Sequence, residues 1–142
     1  MIAAIAWPLF LAAGLRSRIE GDAPWLTAVV YLSAGRVCHQ RPERSFHTSG
    51  VSWPVCGRCA GLYLAAPFGA AVALMLMRRR RVTAASWRWM ALAAAPTALT
   101  WGLEFASVMQ VSSLVRALAA VPLGAAVAFA IVAAAGPSSS IE

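Results

Sequence analysis

The sequence predicts an all-α, polytopic membrane bundle of about five helices, some short or re-entrant, and three observations carry that prediction. Of the 142 residues, 61% are hydrophobic and only 12% are charged, far from the balance of a soluble globule. Apolar stretches recur along the whole chain, broken by short polar or arginine-rich segments. In lipid every backbone N–H and C=O must find its partner inside the protein, so such stretches fold as helices. At this length one domain, residues 1–142, is the natural count.

The net charge of +7 comes from arginine alone, since the chain has no lysine. Basicity by itself would suit nucleic acid. Here the arginines flank apolar segments instead of covering a soluble face, so nucleic acid is excluded and the lipid membrane is the expected partner.

Residues 1–15 form the first apolar segment, closed by Arg16 and Arg18. Its charge follows the apolar run, the reverse of a secretory signal. As a helix it would reach about 22 Å, short of a ~30 Å hydrocarbon core. Asp22 and Pro24 then mark a helix start, and residues 25–37 follow as a second short segment. The two are read as thin spans, with a re-entrant pair as the alternative. Residues 41–54, with Pro42, Gly50 and Pro54, read as a polar loop. The third helix covers 56–77, where Gly57 and Gly61 make a G-x-x-x-G step that could admit a close neighbour or serve as ordinary small-residue packing. Arg78 to Arg81 stop it, and Trp87, Arg88 and Trp89 resemble an interfacial belt. Residues 90–111 make a fourth span and 114–135 a fifth, ended by Gly136 and Pro137 with a disordered tail.

Under the positive-inside rule the 78–81 arginines stay cytoplasmic. Counting spans outward sets Arg16 and Arg18 on that side too. The cysteine loop then lies on the outer face of an inner (cytoplasmic) membrane.

Polar chemistry gathers in residues 38–61, which hold all three cysteines and both histidines. Cys56-Gly57-Arg58-Cys59 is a C-x-x-C, with Cys38 and His39 within reach across the loop. Three thiolates and one imidazole make a closed tetrahedral zinc set. The metal candidates are therefore Cys38, His39, Cys56 and Cys59, with His39 ahead of His47 as the fourth ligand. A redox reading competes: a C-x-x-C at a helix start has an acidified thiolate, and Cys56 and Cys59 could form a disulfide that exchanges with Cys38. Inert packing as small hydrophobes is the third.

Charges within the apolar helices point to the same region. Glu104 is read as mid-span, where a carboxylate needs a partner. Arg116 opens the next helix, so an antiparallel pair would bring the two together. Either an ion pair fixes that helical hairpin, or Glu104 serves the site, balancing charge or moving a proton as a catalytic group. Arg44, Arg58 and Arg116 are the candidates to hold an anionic group, a lipid headgroup or another phosphate-bearing ligand. Arg36 and Arg41 are left to carbonyls, Glu43 or headgroups.

Cys38-His39-Gln40, then Pro42-Glu43-Arg44-Ser45-Phe46, then 54–63 (PVCGRCAGLY) resemble the small prokaryotic membrane proteins grouped as domain of unknown function 2085. The resemblance runs from about Arg36 to Gly124. The family pattern implies an Asp-Gly and a Gln after a proline in the later helices; here Pro96 is followed by Thr100, Trp101 and Glu104. It implies a membrane protein with a Cys/His motif and brings no activity with it. The residues therefore lead to a metalloprotein, with zinc as cofactor, bracing an arginine-lined pocket. A membrane thiol–disulfide oxidoreductase is the alternative, and a non-catalytic subunit working with a partner membrane protein, or a transporter, is the third. Whether it is an enzyme is left open.

Overall fold

Small residues decide how the long helices meet. In a computed structural model, which describes residues 2–78 and 87–135, helix α3 (Gly57–Arg78) lies against α5 (Ser113–Ala135). Gly57 faces Ser113, Gly61 faces Ala117 and Gly69 faces Ala125, a constant offset that makes the two helices parallel. A Cβ at Gly61 would come within 2.1 Å of the Ala117 carbonyl oxygen, so only glycine lets the backbones approach this closely. Of the two readings of Gly57 and Gly61, the close-neighbour one is what the structure shows.

Helix α4 (Trp87–Phe105) returns antiparallel along α5, held in part by the Thr97 hydroxyl donating to the Ala119 carbonyl at 2.8 Å. It packs on α5 and hardly on α3, and a cavity is lined by Arg58 and Leu62 of α3 and Trp101 of α4, a cleft between the two helices. The helix stops at Phe105, six residues before the end expected at Val111. Ser107 takes a left-handed φ of 55°, and the Val108 and Ser107 N–H groups bond back to the Leu103 and Glu104 carbonyls. This is the Schellman pattern, with serine in the position glycine usually fills. Glu104 is thus in the last turn of its helix, not mid-span.

Among the described residues three helices, α1 (Ile2–Glu20), α3 and α5, are long and apolar enough to cross a membrane. Helix α2 (Pro24–Gly35) has 12 residues, about 18 Å of rise, and cannot cross a ~30 Å core. The reading of residues 25–37 as a span is corrected: α2 folds back on the second half of α1, where Gly14 leaves room for Val30. Arg16 and Glu20 line a cavity with Thr48 and Ser49 of the loop, and the Arg18 guanidinium lies 4.5 Å from the Tyr31 ring centroid. Arg16 and Arg18 are therefore at the same end as the cysteine loop, not across the membrane from it as counting two crossings required.

That loop is also more ordered than its composition suggested. A 3₁₀ turn (Pro42–Arg44) leads into a β-hairpin, β1 (Ser45–Thr48) and β2 (Val51–Cys56), in antiparallel register with a bulge between Ser45 and His47. Ser49 and Gly50 both have positive φ, 52° and 76°, the two-residue turn whose twist matches paired strands. The hairpin closes over a core of Leu11, Val30, Ala34, Cys38, Val55 and Ala60, flanked by Trp7, Phe10 and Tyr31. Outward, Leu64, Phe68, Val72, Leu92, Leu118 and Ile131 are exposed, the lipid-facing surface of a membrane bundle. Arg78 ends α3, and Trp87 and Trp89 stand exposed at the start of α4. Arg79 to Arg81 and the tail 136–142 lie outside the described residues.

Candidate functional site

Three elements deliver the three thiols to one point. Cys38 follows the end of α2, Cys56 closes β2, and Cys59 is in the first turn of α3. Their sulfurs all lie within 4.8 Å of one another, and all three cysteines are free. The Cys56 backbone N–H donates to the Cys38 sulfur at 3.2 Å. The Cys38 thiol is held well below the usual thiol range, first by the Cys56 side chain and then by that of Cys59, with burial opposing. Cys56 immediately precedes α3 and Cys59 lies in its first turn, so the C-x-x-C straddles the amino end of that helix.

Gln40 locks this arrangement. Its amide donates to the Tyr31 carbonyl at 2.7 Å and to the Pro54 carbonyl at 2.8 Å, joining α2 to β2 just beside Cys38 and Cys56. It does so from a left-handed backbone, φ 49°, uncommon for a residue other than glycine. The Ser113 hydroxyl donates to the Ser45 carbonyl at 3.2 Å and ties the hairpin base to the start of α5.

Beside the thiols a cavity of about 440 Å³ opens, lined by Cys38, Cys56 and Cys59 together with His39, Arg41, Arg44, Arg58 and Arg116. Sulfur, imidazole and guanidinium thus share one chamber. A second cavity, of about 460 Å³, lies between α1, the hairpin and α3; it contains none of the thiols.

Beneath the chamber is a buried charge cluster. The Arg116 Nε donates to a Glu104 carboxylate oxygen, and Arg58 Nη2 lies 3.5 Å from the other. The side chains of Glu104 and Arg116 are 6% and 4% exposed, so lipid and protein leave little water to screen them. Each has the wrong sign for its own helix: a carboxylate in the last turn of α4 and a guanidinium in the first turn of α5. They are placed for each other. Arg58 also reaches the Thr100 hydroxyl at 3.5 Å, while its buried Nε has no hydrogen-bond partner among the described residues.

Of the residues singled out from sequence, Cys38, Cys56 and Cys59 come together, and Glu104, Arg58 and Arg116 form one cluster. Arg44, half-buried, faces the same chamber and makes no ion pair among the described residues. His39 is exposed at the chamber and does not belong to the three-sulfur group. His47 is exposed on β1, opposite Ser52. Gln40 and Thr100 were not singled out as functional; the strained turn at Gln40 has no signature in the residue order.

A helical bundle embedded in lipid, with a thiol and arginine chamber at one end, is a small polytopic membrane protein. The chain belongs to the family described as "Predicted membrane protein (DUF2085)", whose pattern matches residues 38–130. Over 30 residues it is 53% identical to a protein named "Uncharacterized protein" from Methanothermobacter thermautotrophicus strain Delta H. That match covers 21% of this chain and 27% of the archaeal protein, so the shared stretch spans about a quarter of the relative. No solved structure matches the chain.

Proposed function

We propose that this is an integral membrane metalloprotein in which Cys38, Cys56 and Cys59 hold a zinc ion and brace an arginine-lined chamber for an anionic group. The observation that carries the reading is the convergence of three sulfurs within 4.8 Å. Tetrahedral zinc with Zn–S bonds of about 2.3 Å sets sulfurs about 3.8 Å apart, compatible with that cluster. Thiolate donors suit zinc, Cu(I) or iron–sulfur chemistry and disfavour magnesium or calcium. His39, at the edge of the same chamber, is the proposed fourth ligand; if it stays out, a water or substrate takes that position. Arg44, Arg58 and Arg116 supply the anion contacts, and Glu104 balances their charge.

Metal content decides the reading. Detergent-extracted protein should carry close to one zinc per chain, falling in Cys38→Ser and Cys59→Ser variants that stay helical by circular dichroism. Wild-type protein prepared without chelator and lacking stoichiometric zinc, copper or iron overturns it. Three free thiols in contact, with Cys38 acidified, favour one alternative, a membrane thiol–disulfide oxidoreductase using Cys56 and Cys59. In that case mass spectrometry finds a Cys56–Cys59 disulfide in freshly isolated protein and no metal. The hairpin end is proposed to face outward because 78–81 is the densest arginine run next to a span, and this reading stands against Arg16 and Arg18, which lie at the hairpin end. A membrane-impermeant maleimide should then label Cys56 in intact cells after chelation.

A further inference from the structure

We infer that the anion taken by the chamber is the phosphate of a lipid-class amphiphile, entering sideways through the cleft between α3 and α4. The inference rests on the anion half of the proposed function and not on the metal.

Charge comes first. Four guanidiniums, Arg41, Arg44, Arg58 and Arg116, line the chamber. Against them stand Glu104 beneath and Glu43, which is exposed and 4.0 Å from Arg41. Arg44 makes no ion pair among the described residues, and the buried Arg58 Nε makes no hydrogen bond. Glu104 lies against both Arg58 and Arg116, and Glu43 lies against Arg41. Arg44 is still unmatched, and leaving a guanidinium unpaired at a partly buried site is unfavourable. A planar fork of N–H donors suits a phosphate oxygen pair.

The route comes second. Among the described residues α3 and α4 each pack on α5 and hardly on one another, and the chamber is lined from both of them. Leu62 of α3 and Trp101 of α4 form its apolar walls there. Trp101 is 55% exposed and stacks on Phe105 with ring centroids 5.2 Å apart, giving a flat apolar surface on the bilayer side. A free phosphate has no use for such walls, and about 440 Å³ is far more than it fills. A headgroup phosphate with the first part of its chains meets both the guanidiniums and the apolar sides. The Arg58 bridge to Thr100 and Glu104 forms the floor of the opening.

The test uses the full chain in phosphatidylcholine nanodiscs containing phosphatidic acid, with bound lipid identified by native mass spectrometry. Phosphatidic acid should be retained over phosphatidylcholine. Arg44→Ala should weaken retention about tenfold or more, as expected for losing a charge-assisted contact. Trp101→Ala should weaken lipid retention without changing competition by inorganic phosphate. Equal retention of the two lipids, or an Arg44→Ala variant that binds as the parent does, overturns the inference. Inorganic phosphate competing as tightly as the lipid makes the source soluble and overturns the lateral route. Zinc is measured in the same samples: its absence with lipid binding intact counts against the metal reading alone.

Discussion

Replacing Glu104 by glutamine removes the one carboxylate on which two guanidiniums converge, with almost no change in shape. At 3.5 Å and an effective dielectric constant of about 20, the Arg58–Glu104 attraction is about 5 kcal/mol before desolvation. The contact to Arg116 is closer and more deeply buried. Desolvation offsets much of this, so the ion cluster is not worth that sum. Losing only the carboxylate is different, because it leaves Arg116 charged at 4% exposure with no counter-ion. The expected destabilisation is about 3–5 kcal/mol. Reversible unfolding in mixed micelles, titrated with sodium dodecyl sulfate and followed by circular dichroism, measures it. Removing both charges in Glu104→Gln/Arg116→Met should recover a large part of the loss, since no orphaned charge remains at that pair. A Glu104→Gln protein within about 0.5 kcal/mol of the parent, a shift typical of unremarkable surface changes, would refute the account of a buried cluster.

Four further outcomes follow from the geometry. Gly61→Ala forces a methyl group to within 2.1 Å of the Ala117 carbonyl and should cost about 1–3 kcal/mol in the same titration. Gly102→Ala, whose Cβ would meet nothing within 4 Å, should be neutral or stabilise by about 0.5–1 kcal/mol through helix propensity. Gln40→Ala strands the Tyr31 and Pro54 carbonyls and should lower stability by about 1–3 kcal/mol. If Gln40 positions the thiols, its zinc affinity, read by competition with a chromophoric chelator, falls more than in a core variant such as Val30→Ala of equal stability loss. Stripping metal with a strong chelator should lower the unfolding midpoint of the parent and leave that of Cys59→Ser nearly unchanged.

The site was legible because so few polar residues have anywhere else to go. Three cysteines within 22 residues, and a Glu104–Arg116 pair flanking the connection between α4 and α5, can converge in only a few ways once the segments are helices. Parallel packing of α3 on α5 was half-visible in Gly57 and Gly61, but the partner helix and its direction depend on Gly69 and Gly124, which are too far apart for local reading. The hairpin was hidden by its own chemistry. Ser49-Gly50 is a turn signal, yet Pro54 inside β2 argued against a strand; Pro54 has no N–H to give, and its carbonyl is taken by Gln40. The short length of α2 is legible, but residues 25–37 read as a span because they stay apolar where they pack on α1. The early end of α4 depends on Ser107 accepting a left-handed turn, which its residue type allows but does not announce.

Glu104 has one further consequence, for biogenesis. Its two counter-charges come from opposite directions along the chain: Arg58 is synthesised well before it and Arg116 a short way after. During synthesis the carboxylate therefore enters the bilayer with half its complement already waiting, and is completed only when the final helix docks beside α3. The arrangement makes the docking of α5 the step that completes the neutralisation of Glu104.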